Sequence, residues 1–114
     1  MGIDSDTLYG TMNLLVLQAL RDGPLHGLAV SRRIATGTGG TLRVEEGALY
    51  PTLHRLERDG FVEGDWGRTE ENRRAKFYRL TEKGRLHLER EAKRWARHAG
   101  AVAGLLRLSP GWTA

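Results

Sequence analysis

The chain has 114 residues, 39% of them hydrophobic, no cysteine, and 18 basic against 14 acidic side chains for a net charge of +4. That length fits one domain with room for a long accessory helix, and the composition is neither disordered nor membrane-like. Disulfides, thiolate nucleophiles and Cys-type zinc sites are excluded, and no apolar run approaches the roughly 20 residues of a membrane span.

The start, Met1-Gly2-Ile3-Asp4-Ser5-Asp6, is acidic and short and does not read as a signal peptide, and the absence of cysteine fits a reducing cytoplasm, which is the expected location. Residues 1–30 carry one basic and three acidic side chains, and every other basic group lies in 31–107. A net-basic face is the footprint expected of phosphate binding.

A first helix is expected from about Tyr9 to Arg21. Met12, Leu14, Leu15, Val16, Leu17, Ala19 and Leu20 make it apolar nearly all round, so it needs cover on more than one side, which a second subunit could complete. Asp22-Gly23-Pro24 ends it with turn chemistry. A second helix runs from about His26 to Thr36 with Arg32 and Arg33 on its polar side, and Thr36-Gly37-Thr38-Gly39-Gly40 breaks it. Leu42 and Val44 alternate with Thr41 and Arg43, which reads as a short strand.

The third helix, about Glu46 to Asp59, is the most informative segment. Leu49, Leu53 and Leu56 form one buried stripe, while Gly47, Pro51, His54, Arg55 and Arg58 fall on the opposite side. That side is small at its start and basic further on, which suits close entry into a DNA groove. Pro51 is expected in the first turn, where its cost is smallest. Gly60 stops the helix. Strands are expected at Phe61–Trp66 and Ala75–Leu80, joined by the charged connection 67–74, which makes a wing. Val62 and Trp66 share one face of the first strand, and Tyr78 and Leu80 one face of the second. Thr81 then caps a last helix over about Glu82–Leu106. In it Leu88, Ala92, Trp95, Ala99, Val102 and Leu106 are spaced 4, 3, 4, 3, 4, an a/d seam able to pack on a partner helix. The fold class is thus mainly α with a small β-hairpin wing. A winged helix-turn-helix domain over 8–81 is followed by a dimerisation helix over 82–108, with 1–7 and 109–114 as flexible tails.

Four blocks in this order resemble the PadR-like transcriptional regulators, the family of phenolic-acid-decarboxylase repressors. They are Gly10-Thr11-Met12-Asn13-Leu14-Leu15-Val16-Leu17, Gly23-Pro24-Leu25-His26-Gly27-Leu28-Ala29-Val30, Gly47-Ala48-Leu49-Tyr50-Pro51-Thr52-Leu53-His54-Arg55-Leu56-Glu57, and Asn72-Arg73-Arg74-Ala75-Lys76-Phe77-Tyr78-Arg79-Leu80-Thr81 followed by Lys83-Gly84. The match covers about residues 8–84, and the C-terminal part looks like the short form with one dimerisation helix. Ala48 departs from the usual Ser or Thr and Leu28 from a common Tyr, which weakens the transfer of detailed DNA contacts.

The resemblance implies a homodimeric, usually repressing, DNA-binding regulator, joined through the last helix with help from the first. Some relatives bind flat aromatic compounds between the subunits. Two reading helices about one DNA turn (about 34 Å) apart imply an inverted-repeat target in double-stranded DNA. The expected DNA-binding residues are Tyr50, Thr52, His54 and Arg55 on the third helix, Arg32 and Arg33 on the backbone, and Arg73, Arg74 and Lys76 on the wing. The bland alternatives are a solvated face pairing Arg55 and Arg58 with Glu57 or Asp59, a wing turn balanced by Glu70 and Glu71, and half-buried packing for Tyr50.

The expected dimer and effector residues are Leu15, Leu88, Ala92, Trp95, Ala99, Val102 and Leu106. Trp95 reads either as filler of the seam or as half of an aromatic sandwich around a small aromatic effector. His87 and Glu91, four apart, are two ligands and make no metal site, and no cofactor is expected. His26 caps the second helix or packs beside Pro24. Ser5, Ser31 and Ser109 are the only serines, and Gly37-Thr38-Gly39-Gly40 lacks the lysine of a phosphate loop, so no enzyme is expected. The competing function is a winged-helix protein-docking module.

Overall fold

A computed structural model describes residues 5–108, the side chains of 5–10 excepted. The elements in order are α1 (Ser5–Ala19), β1 (Leu25–His26), α2 (Gly27–Gly37), α3 (Glu46–Arg58), β2 (Val62–Arg68), β3 (Arg74–Leu80) and α4 (Glu82–Leu106). The last helix and the two long strands lie where their sequence patterns put them.

One core joins every layer. Val16 and Leu17 of α1 and Leu20 just after it meet Val30 and Ile34 of α2, the Leu49/Leu53/Leu56 stripe of α3, Val62 and Tyr78 of the sheet, and Leu88 of α4. The α1 helix is covered by three other helices of its own chain, which answers its all-round apolar character. Leu14 and Leu15 are half-buried against this same core. The helix starts at Ser5 rather than Tyr9, with Gly10 inside it, and ends at Ala19 in a tightened turn where Leu20 and Arg21 donate to Leu17 and Gln18 carbonyls at 3.1 Å each.

The sheet is antiparallel with order β1-β3-β2. Leu25 pairs with Tyr78 and His26 with Phe77, so the wing has a third strand that the sequence reading did not anticipate. The strand expected at 42–44 does not form. With β1 on the free edge of β3, that segment has no partner, and its polar groups go elsewhere. The Leu42 amide donates to Thr38 Oγ1 at 3.1 Å, and Ser31 Oγ donates to the Val44 carbonyl at 3.1 Å.

Pro51 also departs from expectation, because α3 begins at Glu46 and places Pro51 in the second turn, inside the helix. The Gly47 carbonyl, four residues back, loses its helical donor. Both residues are exposed, so water can serve that carbonyl. Gly60, at φ +82°, ends α3: Phe61 N donates to Leu56 O at 2.9 Å and Gly60 N to Glu57 O at 3.1 Å, a left-handed closure that suits glycine. Thr81 caps α4, its hydroxyl accepting from Gly84 N at 3.0 Å.

Candidate nucleic-acid interface

The register of β2 on β3 assigns one sheet face the pairs Val62/Leu80, Gly64/Tyr78, Trp66/Lys76 and Arg68/Arg74. Along this face the chain passes from core to tip. Val62 and Tyr78 are buried, Lys76 is half-buried, and Trp66, Arg68 and Arg74 are exposed. The tip itself turns tightly, with Asn72 at φ 62°, a conformation asparagine tolerates. Thr69 N donates to Arg73 O and Asn72 N to Thr69 O, each at 2.9 Å.

This face and the exposed side of α3 enclose an open groove of about 770 Å³, floored by the start of α2. Four basic side chains line it (Arg32, Arg73, Arg74 and Lys76) against two acidic ones, Glu46 and Glu71. Tyr50, His54, Trp66 and Leu28 supply flat or apolar surface. Its excess of positive charge beside aromatic faces suits a phosphate backbone better than a small neutral ligand. Glu71 at the rim is held below the usual carboxylate range, first by a bond to its own backbone and then by the Thr69 hydroxyl, with Arg32 and Arg73 adding attraction.

The expected contact residues divide. Arg32, Tyr50, His54, Arg73, Arg74 and Lys76 come together in the groove. Tyr50 is 38% exposed and its ring lies over Gly27, so packing and exposure both hold. The Arg74 guanidinium stacks 4.7 Å from the Trp66 ring centroid. Lys76 is tied to Glu57 at 2.9 Å, and that carboxylate raises the Lys76 pKa above its ordinary value.

Thr52 requires correction. It is 3% exposed and donates to the Ala48 carbonyl at 2.8 Å, so it faces the core side of α3. Arg55 is half-buried and turned toward α1, donating to Asn13 Oδ1 at 3.3 Å. Arg58 does meet Asp59, at 3.4 Å. Arg33 meets Asp22 at 3.3 Å, outside the groove.

Sequence reasoning missed Trp66 as a site residue. It is 63% exposed, the largest exposed side chain of the wing. The signal was present in its alternation with Val62, since a strand that extends beyond the core carries its inner face into solvent. Gly27 was also missed, and only the three-dimensional approach of Tyr50 reveals it.

The a/d seam of α4 divides too. Leu88 is 3% exposed and belongs to the core of its own chain, a correction to its place in the dimer set. Ala92 is exposed and Ala99 half-buried, while Trp95, Val102 and Leu106 are 45%, 44% and 62% exposed. Trp95 leans on His98, with centroids 5.9 Å apart. His87 stacks on Phe61 at 4.2 Å, and among the described residues no cluster of three or more His, Cys, Asp or Glu could hold a metal. His26 occupies the N-cap position of α2 without a side-chain cap bond and meets Phe77 edge-on at 5.4 Å. No described helix is long and apolar enough to cross a membrane.

The family model of the PadR-like transcriptional regulators matches residues 16–90. The chain belongs to this family. It is 32% identical over 93 residues to a transcriptional regulator of Mycobacterium tuberculosis, covering 82% of this chain and 83% of that one. It is 44% identical over 89 residues to a 37.1 kDa transposon-encoded protein of Streptomyces fradiae, covering 78% of this chain but 24% of that one. In structure it is similar to a transcriptional regulator of Clostridium thermocellum, with TM-score 0.76, 25% identity, and coverage of 90% and 97% of the two chains. The fold also matches Bacillus subtilis PadR, solved with operator DNA, at TM-score 0.62 and 24% identity over 69% of this chain and 45% of that one. The four helices and three-stranded wing are therefore those of a PadR-like winged helix.

Proposed function

We propose that this PadR-like protein is a homodimeric, sequence-specific DNA-binding regulator that represses from an inverted-repeat operator. The observation that carries this reading is the groove itself, where α3 and the wing converge with four basic side chains against two acidic ones. In this reading α3 enters the major groove with Tyr50 and His54 leading. Arg32 holds the backbone, and Arg73 and Arg74 reach phosphates or the adjoining minor groove. Operator binding by the Bacillus subtilis relative supports the same use of the fold.

The dimer reading rests on α4. Trp95, Val102 and Leu106 leave an apolar stripe on one chain, and a second copy would bury it. Two Trp95 indoles facing across the two-fold would form a stack for a flat aromatic effector. Such an effector shifts DNA binding only if it prefers one dimer geometry. Trp95 emission unchanged during effector-driven DNA release would count against that part.

The decisive experiment is selection from a random-sequence duplex pool, followed by titration of the recovered duplex at several salt concentrations. The expected result is an inverted repeat whose binding weakens steeply with salt through counterion release. For Arg73→Ala/Arg74→Ala the slope should fall by about one per lost phosphate contact. A chain that enriches no duplex, and instead captures a protein partner with little salt dependence, is the docking module instead.

A further inference from the structure

The Glu57–Lys76 ion pair is the least exposed of those among the described residues, with side chains 32% and 28% accessible. It is also the one that joins the reading helix to the wing. The others lie within α4, between neighbouring residues, across β2 and β3, or between α2 and the preceding turn. Its location matters mechanically. The third strand supports the hairpin at Phe77 and Tyr78 and no further out. Beyond that rung the wing is a two-stranded ribbon, which has little stiffness of its own. Lys76 stands just past this last supported rung, paired across the strands with Trp66. From there to Asn72 at the tip is four residues, or roughly 13 Å of ribbon. A tilt of roughly 10° at Lys76 would therefore move the tip by about 2 Å, enough to take Arg73 and Arg74 off a phosphate.

Gly64 makes the pair possible. Lys76 reaches Glu57 by crossing the backbone of β2 at Gly64, where a Cβ would collide with Lys76 Cε and stand 3.1 Å from Glu57 Oε2. The bare glycine is a slot cut for this bridge.

The geometry points to Glu57, Lys76 and Gly64 as the joint that sets the angle of the wing against the reading helix, with Lys76 a positioning residue and not a phosphate ligand. This rests on the DNA-reading function proposed above. The joint predicts an effect opposite in sign to simple charge attraction. Removing a carboxylate beside a DNA-binding groove should by charge alone tighten binding. If the joint sets the wing, Glu57→Gln weakens it.

The test uses the dimeric full chain and the duplex that wild type recovers from a random pool. Glu57→Gln is expected to bind about fivefold more weakly, and Lys76→Met to weaken without changing the salt slope. Gly64→Ala, which alters no charge, is expected to weaken binding similarly while its melting temperature stays near wild type. Equal or tighter binding by Glu57→Gln, or a Lys76→Met slope lower by about one, would overturn the joint. A wild type that enriches no duplex would instead remove the DNA reading beneath it.

Discussion

The Tyr50 ring occupies the space a side chain at Gly27 would need: its hydroxyl lies 2.7 Å, and its ring carbons 2.8 and 2.9 Å, from where a Cβ would stand. Gly27 opens α2 and Tyr50 lies in the first half of α3, so this contact sets how α3 sits on α2. Tyr50 keeps 38% of its surface exposed and can yield outward. Gly27→Ala should therefore cost no more than about 1 kcal/mol of folding stability, since the first helical residue accepts alanine and the ring can move. It should, however, displace Tyr50 from the groove. Urea unfolding close to wild type with clearly weaker duplex binding is the expected pair of results.

Gly84 presents the contrary case. A Cβ there would overlap the Phe61 carbonyl oxygen and stand 2.8 Å from the carbonyl carbon, so the obstacle is backbone and cannot rotate away. The same corner is closed by Thr81, whose amide donates to Phe61 O at 3.1 Å and whose hydroxyl donates to Gly60 O at 2.6 Å. For Gly84→Ala we expect a loss of about 2–3 kcal/mol in urea unfolding, because α4 must lift off the base of the wing. A loss under half of that would mean the corner relaxes more freely than its bonding suggests.

Alkaline pH tests the inner face of the wing. Burial pushes the Tyr78 phenol up, and the Glu57 carboxylate bonded to Lys76 raises that ammonium in turn. Both groups titrate higher in the folded chain than in the unfolded one. Their stabilisation is complete below about pH 10 and is lost as the pH rises through the raised values. Melting temperature should thus hold up to about pH 10 and fall as the pH rises beyond it, and Tyr78→Phe should fall less over the same interval. Equal slopes for the two proteins would show that Tyr78 ionises as freely folded as unfolded.

Much of this architecture is written in local pattern. The stripe Leu49/Leu53/Leu56, the stop at Gly60 and the cap at Thr81 each follow from the residue and its immediate neighbours. What depends on distant pairing was not visible. Leu25–His26 is too short to read as a strand, and it becomes one because β3 offers an edge. Leu42 and Val44 alternate as a strand should, yet they join no strand of the sheet. Side-chain direction was partly legible. Thr52, three residues after Leu49 and four before Leu56, lies beside the buried stripe of the wheel and bonds back to Ala48, whereas Arg55 lies on the exposed side and yet reaches across to Asn13. Lys76 reads as a wing cation until Glu57, nineteen residues away in sequence, is found beside it.

The a/d seam of α4 is buried near its start and exposed near its end. Leu88 fills the core of its own chain, while Leu106 is 62% exposed beyond it on the same helix. Leu88→Ala should destabilise each subunit by about 3 kcal/mol, the usual result of deleting a buried leucine side chain. Leu106→Asp removes no buried contact of that size within the subunit, so circular dichroism should stay close to wild type. A charge placed on the apolar stripe would still have to be buried in any partner interface, at a cost that opposes association. Sedimentation should then show a dimer for wild type and a monomer for Leu106→Asp. Because an inverted repeat needs two tethered reading heads, the same variant should lose affinity for the full duplex while keeping weak, salt-sensitive binding to a half-site. A Leu106→Asp protein that remains dimeric would move the interface elsewhere, toward α1 and its half-buried Leu15.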